Sequence, residues 1–204
     1  MRKTFTILLC TLVFCLVAKG QENKSVVSFG VNWGYSAKIF DAHKFIYYDR
    51  YGSLASDQDA GFSFASNGYI LAELCLHISK KSGVCILSGY ESISKGRNEI
   101  PLQIRYCHTS QGYDRDGSLF FAGGGVGFPL NSEAVVPSAC GLLGGGYRFA
   151  LTKRMSIDLT GSFKLTFDRP NLKDNSTGGY IPQSNIQHNN AIYAALNIGL
   201  GLNF

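Results

Sequence analysis

The sequence predicts an all-β fold: an eight-stranded antiparallel transmembrane β-barrel, wound as an up-and-down meander. Three observations predict it. A cationic and apolar leader opens the chain, apolar and polar residues then alternate with period two, and the apolar faces of that alternation carry no charge. Successive side chains of a strand point to opposite faces, so period two marks strands with one face of each kind.

Met1-Arg2-Lys3 is a short basic start, Phe5 to Ala18 is almost wholly apolar, and Ala18-Lys19-Gly20 puts small residues where a signal peptidase reads. This is the pattern of a secretory signal peptide over residues 1–20, cleaved before Gln21. Its apolar run is shorter than the roughly 18 residues expected of a spanning helix. Leu12-Val13-Phe14-Cys15 is a poor lipoprotein site, because Phe14 is too large to precede a lipidated cysteine. With Arg2, Lys3 and Lys19 removed, the formal net charge falls from +5 to +2. The basicity belongs largely to the export signal and does not support a nucleic-acid surface. Residues 21–204 suit one domain. No later apolar run is long enough for a membrane helix, and Cys75, Cys85, Cys107 and Cys140 remain.

The strands follow in order. Val27, Phe29, Val31, Trp33, Tyr35, Ala37 and Ile39 form the apolar face of the first, opposite Asn32, Gly34, Ser36 and Lys38. Ile70, Ala72, Leu74, Leu76 and Ile78 oppose Glu73, Cys75 and His77; Val84, Ile86 and Tyr90 oppose Cys85, Gly89 and Glu91. Ile100, Leu102, Ile104 and Tyr106 oppose Gln103, Arg105 and Cys107, and Phe120, Ala122, Val126 and Phe128 oppose mostly glycines. Leu143, Tyr147, Phe149 and Leu151 oppose Gly144, Gly146, Arg148 and Ala150. Met155 to Asp168 alternates without a break, with Asp158, Lys164 and Asp168 on its polar side. Ile192 to Phe204 closes the set, with apolar residues at even positions.

The connections alternate in length. Residues 41–67 and 169–190 read as long loops, Lys80 to Gly83 and Thr152 to Arg154 as tight turns, and Lys95 to Glu99 as a short connection. Membrane barrels keep short periplasmic turns and longer outside loops, which puts both termini on the periplasmic side. A secreted water-soluble barrel of the lipocalin kind alternates too, with its apolar face inward. The charges argue for lipid outside, because a lipid-facing Lys or Arg costs about 2–4 kcal/mol near mid-bilayer. All of Lys38, Arg105, Arg148, Lys164, Glu73, Glu91, Asp158 and Asp168 lie on polar faces, four of each sign, which suits a narrow interior where they pair. Trp33, Tyr35, Tyr106, Phe120, Phe128, Tyr147 and Phe167 are expected near strand ends as an interfacial girdle.

Ser94 to Tyr106, with its Lys95-Gly96 and Glu99-Ile100-Pro101-Leu102, resembles a core motif of the outer-membrane β-barrel (porin-like) domain family of Gram-negative bacteria. Leu119 to Gly127 is similar to that family's next strand, and Ser28 to Gly34 to its opening one. The resemblance covers most of residues 26–204 and implies an eight-stranded barrel in the outer membrane with no catalytic residue. The four cysteines depart from that pattern. The terminal Phe204 resembles the signal read by the barrel-assembly machinery, which would make that machinery a partner.

Motifs for chemistry are weak. The glycines at 123–125 and 144–146 lie within strands and open no helix, so they are not phosphate cradles. Glu73 and His77 are four residues apart on a strand, roughly 13 Å, too far to share a metal. Cys75, Cys85 and Cys107 are expected to face inward toward the periplasmic half, with their bonding left open, and Cys140 lies near the opposite rim. His43, His108, His188 and Ser184 sit in no recognisable nucleophile motif. Loops 41–67 and 169–190 are the candidate surface for an extracellular ligand; Tyr47, Tyr48 and Tyr51 lie among charges in 43–64, either as part of that surface or, the reading preferred here, in strands extended above the membrane. No metal or cofactor is expected. The expected role is structural or loop-binding around a side-chain-filled interior, with no reaction. A lipid-modifying enzyme and a narrow pore are the alternatives.

Overall fold

In the computed structural model the described residues are 27–49, 51–94, 97–130, 136–153, 155–172 and 179–204. The expected signal peptide, residues 1–20, lies outside them. Nine strands form one antiparallel sheet: β1 (Val27–Tyr48), β2 (Leu54–Gly61), β3 (Ala65–His77), β4 (Ser82–Ser94), β5 (Arg97–Thr109), β6 (Gly117–Pro129), β7 (Ser138–Ala150), β8 (Ser156–Asp168) and β9 (Ile186–Asn203). The sheet closes through β1 and β9, while β2 pairs with β1 alone, so eight strands make the barrel.

The register shows how it closes. From Val27, partners run through Leu76, Val84, Tyr106, Ala122, Leu143, Phe163 and Leu196 and return to β1 at Ala37, ten residues further along. A closed sheet with that stagger must tilt its strands, and eight strands leave a bore just wide enough for side chains. Every residue on the circuit is apolar. The seam is completed at the end of the chain, where Phe29 and Phe204 exchange backbone hydrogen bonds of 3.3 and 2.8 Å.

The outside of the barrel is apolar and the inside carries the charge. Leu143 and Ile198 are 67% and 69% exposed, whereas Lys164 is 3% and Asp158 5%. A water-soluble barrel would reverse this arrangement. Lipid is therefore the solvent that suits the exterior, since it leaves no apolar surface in water and strands of this length span about 30 Å of hydrocarbon when tilted.

Two sequence expectations need correction. Residues 41–67 are not a long loop but the extended strands preferred for 43–64: β1 continues to Tyr48, turns, and pairs back as β2 from Tyr48↔Leu54 to Asp41↔Gly61. A bulge between Lys38 and Phe40 shifts the register against β9. One extra residue reverses which side each following position faces. Asp41 and His43 thus join the inward face opposite Tyr193 and Ala191, and Phe40 turns outward to meet Phe62 edge-to-face at 5.9 Å. The second correction concerns the girdle. Trp33 and Tyr35 lie mid-way along the stretch of β1 paired to β3, not at a rim. Phe128 and Phe167 do lie near one end of their strands, and Tyr106 and Tyr147 near the other.

Candidate functional site

The barrel interior has three levels, described here from the end that carries Val27 and Phe204 (the terminal end) to the end that carries β2 (the hairpin end). At the terminal end, Arg148 on β7 grips Asp158 on β8 through two parallel hydrogen bonds of 2.7 and 2.6 Å. Adjacent strands present them directly opposite one another, the geometry in which a guanidinium fork fits a carboxylate. Asn203 donates to the same carboxylate at 2.9 Å, and Asn32 donates to Glu73 at 2.7 Å. Arg105 donates to Gln103 at 2.9 Å and rests its guanidinium on the Phe121 ring.

The middle level is apolar. Leu71, Leu87, Leu119, Phe121 and Leu142 point inward and pack together, with Tyr69 against them. Gly34 and Gly199 face each other across the β1–β9 seam, and the Tyr69 hydroxyl occupies the space that a Cβ on either would need. The glycines are thus the room into which an inward aromatic fits.

Toward the hairpin end, Lys164 on β8 contacts Glu91 on β4 at 2.6 Å, and Glu91 also accepts from Gln103. Arg97 contacts Asp168 at 2.7 Å, Ser138 donates to Glu99 at 2.7 Å, and Lys38 contacts Asp41 at 2.5 Å. Arg97 and Glu99 were expected within a short connection; they are inward residues at the start of β5. The connection after β8 folds back on itself here: Leu172 and Ile181 are buried and joined by a backbone hydrogen bond, and Asn189 donates to Pro170.

Little space is left among the terminal-end charges. The cavity between the terminal-end charges, lined by Asn32, Glu73, Arg105, Tyr113, Arg148 and Asp158 among others, has a volume of about 20 Å³, room for about one water. Tyr113, from the connection after β5, forms part of its wall: the hydroxyl donates to the Cys107 carbonyl and the ring lies 4.0 Å from that of His77. Burial pushes the Tyr113 hydroxyl above the ordinary tyrosine range.

The eight charges singled out from the sequence all reach this interior, with Asp41, Arg97 and Glu99 added by the structure. His77 meets Ser28 and Tyr113 while Glu73 meets Asn32, so those two form no common centre. Three ligand atoms of Glu73, Cys75 and Cys85 do lie within 4.8 Å of one another, but the two sulfurs are bonded as a disulfide. Cys107 and Cys140 are free.

The histidines and tyrosines divide. His43 bonds Asn189 at 2.8 Å inside the hairpin end. Ser184 bonds Asn185 and His188 lies beside Asn190, so Ser184 and His188 do not form a pair. His108 meets Ser82 at 2.9 Å at the terminal-end rim, a contact not foreseen, and Ser82 also accepts from Tyr106. Among the described residues no carboxylate hydrogen-bonds His108. Tyr47 stacks on Phe45 and the Tyr48 hydroxyl accepts from Gln187, whereas Tyr51 stands exposed at the hairpin turn.

Comparison with solved structures finds this architecture again in the outer membrane protein OprG of Pseudomonas aeruginosa, which aligns over 89% of this chain and 98% of its own at a TM-score of 0.54. The fold is that of an outer-membrane β-barrel. At 12% identity the likeness extends to the fold alone. A FadL homologue of Pseudomonas aeruginosa aligns over 89% of this chain and 50% of its own, with 10% identity and a TM-score of 0.37, too loose to argue from. No family model matches the chain, and no curated protein does.

Proposed function

We propose that this chain is an exported barrel of the outer membrane, plugged by its own side chains, with a structural or surface-binding role and no reaction. The observation that carries the reading is the filled bore. Charged layers at both ends and an apolar layer between them occupy the bore, and the cavity among the terminal-end charges is about 20 Å³. The terminal end faces the periplasm, where the tight turns at Ser79–Lys81 and after Ala150 lie, and the β1–β2 hairpin and the 169–190 connection face outside. Tyr51, Phe62 and Phe64, each more than four-fifths exposed, are the contacts offered to an extracellular ligand or to lipid headgroups. Phe204, half-exposed on the closing seam, is the residue offered to the assembly machinery.

Planar-bilayer recording of the refolded full chain tests the plugged interior. The expected result is no stable single-channel step. Reproducible steps of fixed size would contradict it and favour a narrow pore.

A further inference from the structure

The four mature cysteines are not evenly spread. Cys75 on β3 and Cys85 on β4 are registered partners and are joined by a disulfide. Cys107, two strands from Cys75, places its sulfur 3.5 Å from that of Cys85. Cys85 thus has one sulfur bonded to it and a second in contact. All three are buried, and all three line the small cavity that Tyr113 also lines. The Glu73 carboxylate lies within 4.8 Å of the bonded sulfurs. Cys140 sits elsewhere, on β7 opposite Thr166.

We propose that Cys75, Cys85 and Cys107 form a thiol–disulfide exchange site in which Cys85 is shared between two partners. The Cys107 thiol loses its proton and its thiolate attacks the Cys85 sulfur. The Cys85–Cys107 bond forms, the Cys75–Cys85 bond breaks, and the departing Cys75 thiolate takes up a proton. Electrons and protons balance within the chain, so no oxidant or reductant is consumed. Exchange runs through attack of a thiolate on one sulfur of a disulfide, at a rate set by the thiolate fraction and by access, and the 3.5 Å contact supplies the access. Its effect is to move the free thiol from Cys107 on β5 to Cys75 on β3, opposite Ser28 and close to Glu73. The inference does not depend on the proposed function, because it holds for a barrel of any role.

The test uses the full chain refolded in detergent with Cys10→Ser, Cys15→Ser and Cys140→Ser, so that Cys75, Cys85 and Cys107 are the three cysteines left. The oxidised protein is incubated at mildly alkaline pH, then unfolded at pH 6 into N-ethylmaleimide and mapped by mass spectrometry. Maleimide on Cys75 in part of the population and on Cys107 in the rest is expected. Refolded with oxidised glutathione as the oxidant, the Cys75→Ser variant should form the Cys85–Cys107 bond and Cys107→Ser the Cys75–Cys85 bond, each variant keeping the heat-dependent gel mobility of a folded barrel. Maleimide on Cys107 alone in the parent protein, or free Cys85 and Cys107 in a folded Cys75→Ser variant, would overturn the proposal.

Discussion

Lys164 Nζ lies 2.6 Å from Glu91 Oε1, and the two residues stand on β8 and β4, four strands apart in a barrel of eight. The pair therefore reaches across the full bore and ties opposite walls together. Both side chains are almost fully buried, and Gln103 satisfies the second carboxylate oxygen.

Breaking that pair should be costly. Removing one partner leaves an uncompensated buried charge, a loss of about 3–5 kcal/mol, whereas replacing both with apolar or neutral residues of similar volume often costs little. Glu91→Gln and Lys164→Met are each expected to lower the urea midpoint of the refolded barrel strongly. The double variant should recover a large part of the loss. Additive losses would mean that the two side chains do not meet.

Lipid contact should appear as depth-dependent intolerance of charge. Leu143 lies mid-way along β7 and Leu151 just beyond its end, both exposed. Leu143→Arg is expected to destabilise the barrel by about 2–4 kcal/mol and Leu151→Arg by about 0–1 kcal/mol, measured by unfolding in lipid. Equal and small effects would argue that water, not hydrocarbon, bathes this face.

Tyr113 supplies a pH dependence. Burial first, then the neighbouring Cys107, raises its hydroxyl above the usual value. A phenol whose folded value is raised contributes stability that is complete below the unfolded value, about 10, and is lost as pH climbs beyond it. Tyr113→Phe should flatten part of the alkaline loss of stability above pH ~10. An unchanged alkaline profile would place the hydroxyl in solvent.

Gly199 leaves room for Tyr69, whose hydroxyl stands where a Cβ would be. Gly199→Ala must displace that ring or part the β1–β9 seam, and overpacking of this kind costs about 1–3 kcal/mol. The combination with Tyr69→Phe, which removes the clashing oxygen, should restore part of the loss in a denaturant titration. No rescue would locate the strain elsewhere.

Much of this architecture was legible because lipid imposes a strict rule on one face. Along Met155 to Asp168 an outward charge is expensive, so the alternation is clean and the strand reads directly. The inner face obeys no such rule. The Phe121 ring fills the space that Gly144 leaves, Leu71, Leu87, Leu119 and Leu142 pack with it, and bulk in either direction looks alike in a sequence. Leu119 and Phe121 did share their parity with the glycines at 123, 125 and 127, a signal that could have revealed the apolar layer. The bulge after Lys38 hid Asp41 and His43, since one extra residue reverses the faces without marking the composition. Arg97 and Glu99 were obscured by their closeness to Gly96, which reads as a turn. The meeting of Cys107 with Cys85 depends on a diagonal between β4 and β5 that period two alone cannot supply.

The side of the sheet that meets hydrocarbon can be read from the chain's single tryptophan, Trp33, which lies outward and mid-strand between Ile70 and Leu200. Refolded into vesicles with brominated acyl chains, the protein should lose most of its tryptophan emission, and aqueous iodide should have little effect. Emission that survives the brominated lipid and falls with iodide would contradict the account.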